Sequence, residues 1–185
     1  MSGEKYKIPT ILVSALTNHG LKTVIKTHLP PSATVFPHYH NHFSETFKVI
    51  EGNVSIFTSA TSSTKLDQNR QYLTQGQSAT VQPGTLHKYV VGASSTTVEL
   101  TFEPGTLGFE RAMCILRGMQ IDDPESIEGD MGLVAVISQL SDSNPVGAFK
   151  DALLAAKAEP GWQERFERLV QQYAKDEDLL SAVRR

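Results

Sequence analysis

His38-Tyr39-His40-Asn41-His42-Phe43-Ser44-Glu45, with six residues separating Glu45 from Gly52, is the stretch on which the reading of this chain turns. A second stretch answers it further on: Gly76, seven residues, then Gly84-Thr85-Leu86-His87. Successive side chains on a strand point to opposite faces, so His38 and His40 share a face if the segment is extended. Glu45 lies at an odd offset from both. It joins that face only if the chain turns or bulges across residues 41–44 before resuming at Thr46, and Asn, Ser and His suit such an irregular stretch. His87 follows the turn signal Gln82-Pro83-Gly84 and opens the apolar run Tyr89-Val90-Val91, which places it at the start of a different strand. Three imidazoles and one carboxylate can hold one divalent cation, and a closed barrel would bring the two strands together.

Outward from these stretches, residues 21–102 read as short strands between turn signals, at 21–29, 33–40, 46–51, 54–58, 77–82, 87–91 and 96–102. Val54 and Ile56, Ala79 and Val81, and Val98, Leu100 and Phe102 recur at period two, as half-buried strands require. Glu51-Gly52-Asn53 is a tight hairpin turn. Many short strands with Gly and Pro turns predict an all-β barrel or sandwich. Ser59-Ala60-Thr61-Ser62-Ser63-Thr64-Lys65 is small and polar without apolar periodicity, and reads as a mobile linking loop.

The spacing His-x-His-x4-Glu-x6-Gly followed by Gly-x7-Gly-x2-His resembles the two signature motifs of the cupins. That resemblance covers roughly residues 30–105. It implies a mainly β fold, a cupin-type double-stranded β-helix (jelly-roll) barrel, with a metal held inside by His38, His40, Glu45 and His87. Gly52, Gly76 and Gly84 fall on the family's turn glycines. The chain departs from the pattern at Ser32, where Gly is frequent, at Gln82, with Pro83 one place later than usual, and at Val91, where Asn is frequent. None of these is a ligand position. The resemblance also implies a homodimer.

Other histidines read differently. His42 stands next to the ligand positions as an alternative ligand in a shifted register, a hydrogen-bond partner of a ligand, or a solvent-facing side chain. His19 and His28 have no motif around them. If His38 and His40 point inward, so does Phe36; with Glu45 go Phe47 and Val49; with His87 goes Tyr89. The cavity so lined is largely apolar with one phenol near the metal, which suits a small apolar or aromatic molecule better than a sugar phosphate.

After Pro104-Gly105 the pattern becomes helical. Trp162, Phe166, Leu169, Val170 and Tyr173 recur at three- and four-residue steps, predicting an amphipathic helix over residues 160–175. Asn144-Pro145 reads as the start of another, with Val146, Phe149 and Leu153 as its stripe. Residues 109–116 and 130–140 are further helical candidates. These stripes are expected to bury against the barrel, as plain core packing or as a lid over a pocket. The division expected is 1–108 for the barrel and 109–185 for a helical extension of the same domain.

A chain of 185 residues has room for one such core. The net charge of -3 gives no polybasic surface, so nucleic acid is not an expected partner. One cysteine, Cys114, makes no internal disulfide and agrees with a reducing compartment. The apolar stretch Ile11-Leu12-Val13 is too short for a signal peptide core or a membrane span, so a cytoplasmic protein without a membrane partner is expected.

Nitrogen and oxygen ligands without thiolate suit Fe(II), Mn, Ni, Co or Zn, with coordination positions left for water, substrate or dioxygen. The expected function is a metal-dependent enzyme acting on a small apolar or aromatic metabolite, most simply an Fe(II) dioxygenase-type oxidoreductase with Glu45 and Tyr89 as catalytic residues. Two other classes are carried beside it: a non-redox isomerase, cyclase or lyase using the ion as Lewis acid, and a non-catalytic small-molecule-binding cupin.

Overall fold

Period-two alternation in the first half of the chain becomes strands that bury one face each. A computed structural model describes residues 9–60 and 62–183. Its strands are β1 (Thr10–Val13), β2 (Thr23–Leu29), β3 (His38–Tyr39), β4 (Ser44–Glu51), β5 (Asn53–Ser59), β6 (Arg70–Thr74), β7 (Ser78–Val81), β8 (Leu86–Val91) and β9 (Thr96–Glu103). Then follow α1 (Leu107–Asp122), α2 (Met131–Leu140), β10 (Asn144–Pro145), α3 (Ala148–Ala158), α4 (Trp162–Tyr173) and α5 (Asp176–Val183).

Two five-stranded sheets form, in the orders β1-β2-β9-β4-β7 and β10-β3-β8-β5-β6, with antiparallel pairing throughout. Phe47 and Val49 from the first sheet meet Val54, Ile56 and Val91 from the second in a shared core. This is the jelly-roll barrel expected, with the helices against it. The β4–β5 hairpin turns at Gly52, whose φ of 83 lies in the left-handed region. A Cβ there would sit 2.6 Å from the Ser95 carbonyl oxygen, so only glycine fits the close approach.

Two of the helices begin at side-chain caps. Thr106 accepts from the Phe109 amide at the start of α1, and Asp130 accepts from the Leu133 amide at the start of α2. Ile115, Leu133, Val136, Leu153, Trp162 and Leu169 make a core among the helices themselves. A further cluster joins α1 and α5 to the barrel, with Met113 and Leu179 packed in a group that includes Ile11, Ile25, Phe43 and Phe102. Glu110 in the first turn of α1 is fully buried. It accepts from Ser14 Oγ at 2.5 Å, the Ala15 amide at 2.7 Å and Thr23 Oγ1 at 2.5 Å, which pairs the carboxyl oxygens that burial would otherwise leave unsatisfied.

Several expectations are corrected. Asn144-Pro145 does not cap a helix: it is a two-residue strand paired with Tyr39 and His38, and α3 begins only at Ala148. A proline fits an edge strand because it has no N–H to leave unpaired, and Asn144 Nδ2 donates instead to the carbonyls of Tyr39 and Asp142. The strand expected over 33–40 shrinks to His38–Tyr39, with one bridge from Thr34 to Val90. The polar stretch after β5 carries a 3-10 helix, Ser63–Gln68, because Leu66 is buried and anchors it. Strands β1 and β6 and helix α5 add to the elements foreseen, and α1 is longer than the segment read as helical.

Candidate metal centre

Two sheets and a loop deliver the four side chains. His38 in β3 and His87 in β8 are register partners in one sheet, while Glu45 in β4 lies in the other, opposite Val81 and Phe102. His40 sits on the link between β3 and β4. The chain does turn there, as the odd offset of Glu45 requires, and β4 resumes at Ser44. All four side chains are buried, and their ligand atoms lie within 4.8 Å of one another.

Each imidazole is oriented from behind. His38 Nδ1 donates to the Phe36 carbonyl at 2.9 Å, His87 Nδ1 to the Thr85 carbonyl at 3.0 Å, and His40 Nδ1 to the Asp142 carbonyl at 3.0 Å. With the proton on Nδ1, the Nε2 lone pair is left for the centre of the cluster, the tautomer a metal needs. Glu45 Oε2 lies 3.3 Å from His40 Nε2 and 3.0 Å from His87 Nε2. An oxygen anion facing imidazole lone pairs calls for a cation or a proton between them.

The electrostatics agree with that demand. Burial, then the neighbouring His87 and His40, push the His38 pKa down to about 3, so this ring is neutral at working pH. Burial opposes the charge of His40, but the hydrogen bond and charge of Glu45 outweigh it and raise its pKa above the ordinary value. Burial likewise opposes ionisation of Glu45, and hydrogen bonds from His40 and His87 overcome it, holding its carboxyl well below the usual range. The donor set therefore fits one divalent ion: a permanent carboxylate and three imidazoles aimed with the correct nitrogens.

A cavity of about 320 Å³ opens on the cluster, with His38, His40 and Glu45 in its wall. Phe36, Phe47 and Tyr89 line it as expected; Val49 points inward but belongs to the closed core. The helical region supplies the rest, including Phe109, Met113, Leu133 and Ile137. α1 and α2 thus wall the pocket, while the Trp162, Phe166 and Leu169 stripe of α4, expected to bury against the barrel, packs in the core among the helices instead. Thr27 Oγ1, buried in the β2 wall, has no hydrogen-bond partner among the described residues.

His42 is not a ligand. Its side chain is 79% exposed and donates through Nδ1 to Asp142 Oδ2 at 2.9 Å. Asp142 escaped the sequence reading: Ser141-Asp142-Ser143-Asn144-Pro145 signals a turn, and nothing in it points to a site a hundred residues upstream. Thr27 and the helical wall residues were equally silent.

Neither a protein-family model nor a curated protein matches the sequence. Solved structures do resemble it. KdgF from Halomonas sp. is 16% identical with a TM-score of 0.43, over 52% of this chain and 76% of that one. A conserved protein with a double-stranded β-helix domain from Klebsiella pneumoniae is 19% identical with a TM-score of 0.44, over 57% of this chain and 83% of its own. A cupin-2 domain protein from Shewanella frigidimarina is 15% identical with a TM-score of 0.41, over 53% and 81%. With two antiparallel sheets closed over a buried cluster of three histidines and a glutamate, the chain has the cupin-type double-stranded β-helix fold.

Proposed function

We propose that this protein is a metal-dependent enzyme acting on a small apolar or aromatic molecule, with dioxygenase-type chemistry at Fe(II). The observation that supports this reading is the convergence of four buried ligand atoms, within 4.8 Å of one another, on the wall of an apolar cavity. His38, His40, Glu45 and His87 would hold the ion. A bound divalent ion supplies Lewis acidity and, as Fe(II), redox chemistry with dioxygen.

The chain's own residues do the remainder. The apolar wall keeps water from the reacting face, and among the described residues no Lys or Arg lines it, which disfavours phosphorylated or multiply charged substrates. Tyr89 lines the same wall, and its phenol would be the group to meet a polar atom of the substrate. Glu45 is held ionised, which equips it to bind a cation.

The test is anaerobic reconstitution with Fe(II), followed by an oxygen-electrode assay against a panel of catechols, hydroxybenzoates and small cyclic ketones. Oxygen uptake that depends on both Fe(II) and an added compound supports the dioxygenase reading. Turnover without oxygen uptake replaces it with an isomerase, cyclase or lyase; binding with no turnover replaces it with a ligand-binding cupin. In the first case Glu45→Gln should retain part of its metal while activity falls by about 10² or more if Glu45 moves a proton.

A further inference from the structure

Among the three imidazoles, one is held differently. His38 and His87 each donate Nδ1–H to the carbonyl two residues earlier, so their own strand ends set their rings. His40 stands outside any strand, and the carbonyl that takes its Nδ1–H belongs to Asp142, 102 positions further along the chain.

Asp142 grips the same loop a second time. Its Oδ2 accepts from the Asn41 amide at 2.6 Å, the His42 amide at 3.1 Å and His42 Nδ1 at 2.9 Å. Its own position is fixed in turn, because Asn144 Nδ2 donates to its carbonyl at 2.9 Å and to Oδ1 at 2.8 Å. The residue has a φ of 50, a left-handed conformation that aspartate tolerates better than most side chains. Main-chain oxygen and side-chain oxygens thus face the same loop from one residue, the first on the ring and the others on the backbone carrying it.

We propose that Asp142 is a positioning residue for the metal centre: its carbonyl selects the ring orientation and tautomer of His40, its carboxylate fixes the loop beneath, and the helical region thereby sets metal affinity. This rests on the reading of the cluster as a metal site. Outer partners of metal-bound histidines typically contribute 10- to 100-fold in affinity. The loop between ligands in opposite sheets is tied at the His40 carbonyl by the Gly84 amide at 2.7 Å, and the Asp142 contacts hold the ring and the residues after it, which no strand pairing fixes.

The experiment uses the full chain, Co(II) as the probe, and two variants beside His40→Ala. Asp142→Gly accepts the backbone conformation and keeps the carbonyl but loses the carboxylate; Asp142→Asn keeps one side-chain acceptor oxygen. Expected for Asp142→Gly is Co(II) affinity 10- to 100-fold below the parent, with the visible absorption of bound Co(II) moved toward that of His40→Ala. Asp142→Asn should recover part of both. The metal-free proteins give an independent readout: the ¹⁵N signal of His40 Nδ1 should report a single hydrogen-bonded N–H in the parent and a mixture of states in Asp142→Gly, with the signals of His38 and His87 unmoved. Parental Co(II) affinity and an unchanged His40 signal in a folded Asp142→Gly protein would overturn the proposal. If Asp142→Gly does not fold, the same comparison on Asp142→Asn decides it, parental values again overturning the proposal. A parent that takes up no Co(II) overturns the metal reading instead, recognisable because His40→Ala then behaves as the parent does.

Discussion

His38 and His87 oppose each other directly across β3 and β8, while Glu45, which completes the cluster with His40, reaches in from the other sheet. An ion held by all four joins the two sheets of the barrel, and such a link exists in the folded chain alone. Binding should therefore stabilise the fold by roughly 2.7 kcal/mol when the free ion stands at 100 times its Kd. For a chain of this size that is a rise in Tm of several degrees, at about 2–4 °C per kcal/mol. Thermal melts of chelator-stripped protein with and without added ion measure it; superimposed curves at a saturating ion concentration would count against the site.

Metal affinity should weaken as pH falls. The raised pKa of His40 means that the metal-free folded protein holds a proton there more readily than an ordinary histidine, whose value is near 6.5. That proton stabilises the metal-free fold at low pH and is lost as pH rises through the raised value, so it competes with the ion from above 6.5 downward. His38, down at about 3, adds no competition in that window. Competition titrations between about pH 5 and 8 test this, and a flat profile would speak against imidazole ligation.

Replacing Thr27 by Val should leave the metal-free protein as stable or more so. The substitution removes a buried hydroxyl that has no partner among the described residues, and an unsatisfied buried group costs about 1–3 kcal/mol. A Tm raised by roughly 2–4 °C is expected for each kcal/mol recovered. A clear loss of stability would mean that the hydroxyl is bonded in solution, through a water in the cavity.

Ending the chain after Ala158 would remove α4 and α5, and with them the buried Trp162, Leu169 and Leu179. Each such side chain contributes roughly 1.5–3 kcal/mol when fully buried, against a total stability of about 5–15 kcal/mol for an ordinary domain. Aggregation, or a melting point lowered by many degrees, is the expected result in solubility and calorimetric assays. Unchanged melting would show that these helices carry no load for the rest.

The barrel was legible because its strands alternate and its turns are marked by glycine and proline, and the odd offset of Glu45 even called for the bend that the structure contains between β3 and β4. Histidines two apart and a glutamate five further on are signals of local geometry, which sequence spacing encodes. Asn144-Pro145 misled because the same dipeptide that opens a helix also suits an edge strand; the choice was made by Tyr39 and Asp142, whose carbonyls take the Asn144 amide. Asp142 and Thr27 left no mark at all. Their importance comes from what lies across from them, and no periodicity records contacts between segments a hundred residues apart.

The ring orientations of His38, His40 and His87 also bear on which ion a cell would place there. Nitrogen and oxygen donors fixed from behind by main-chain carbonyls grip most first-row divalent ions, and their grip strengthens along the Irving–Williams order toward copper rather than toward iron. A site of this kind is filled according to supply. An ion recovered from an overproducing host would then report the growth medium, and the native occupant is sought by returning ions one at a time to stripped protein.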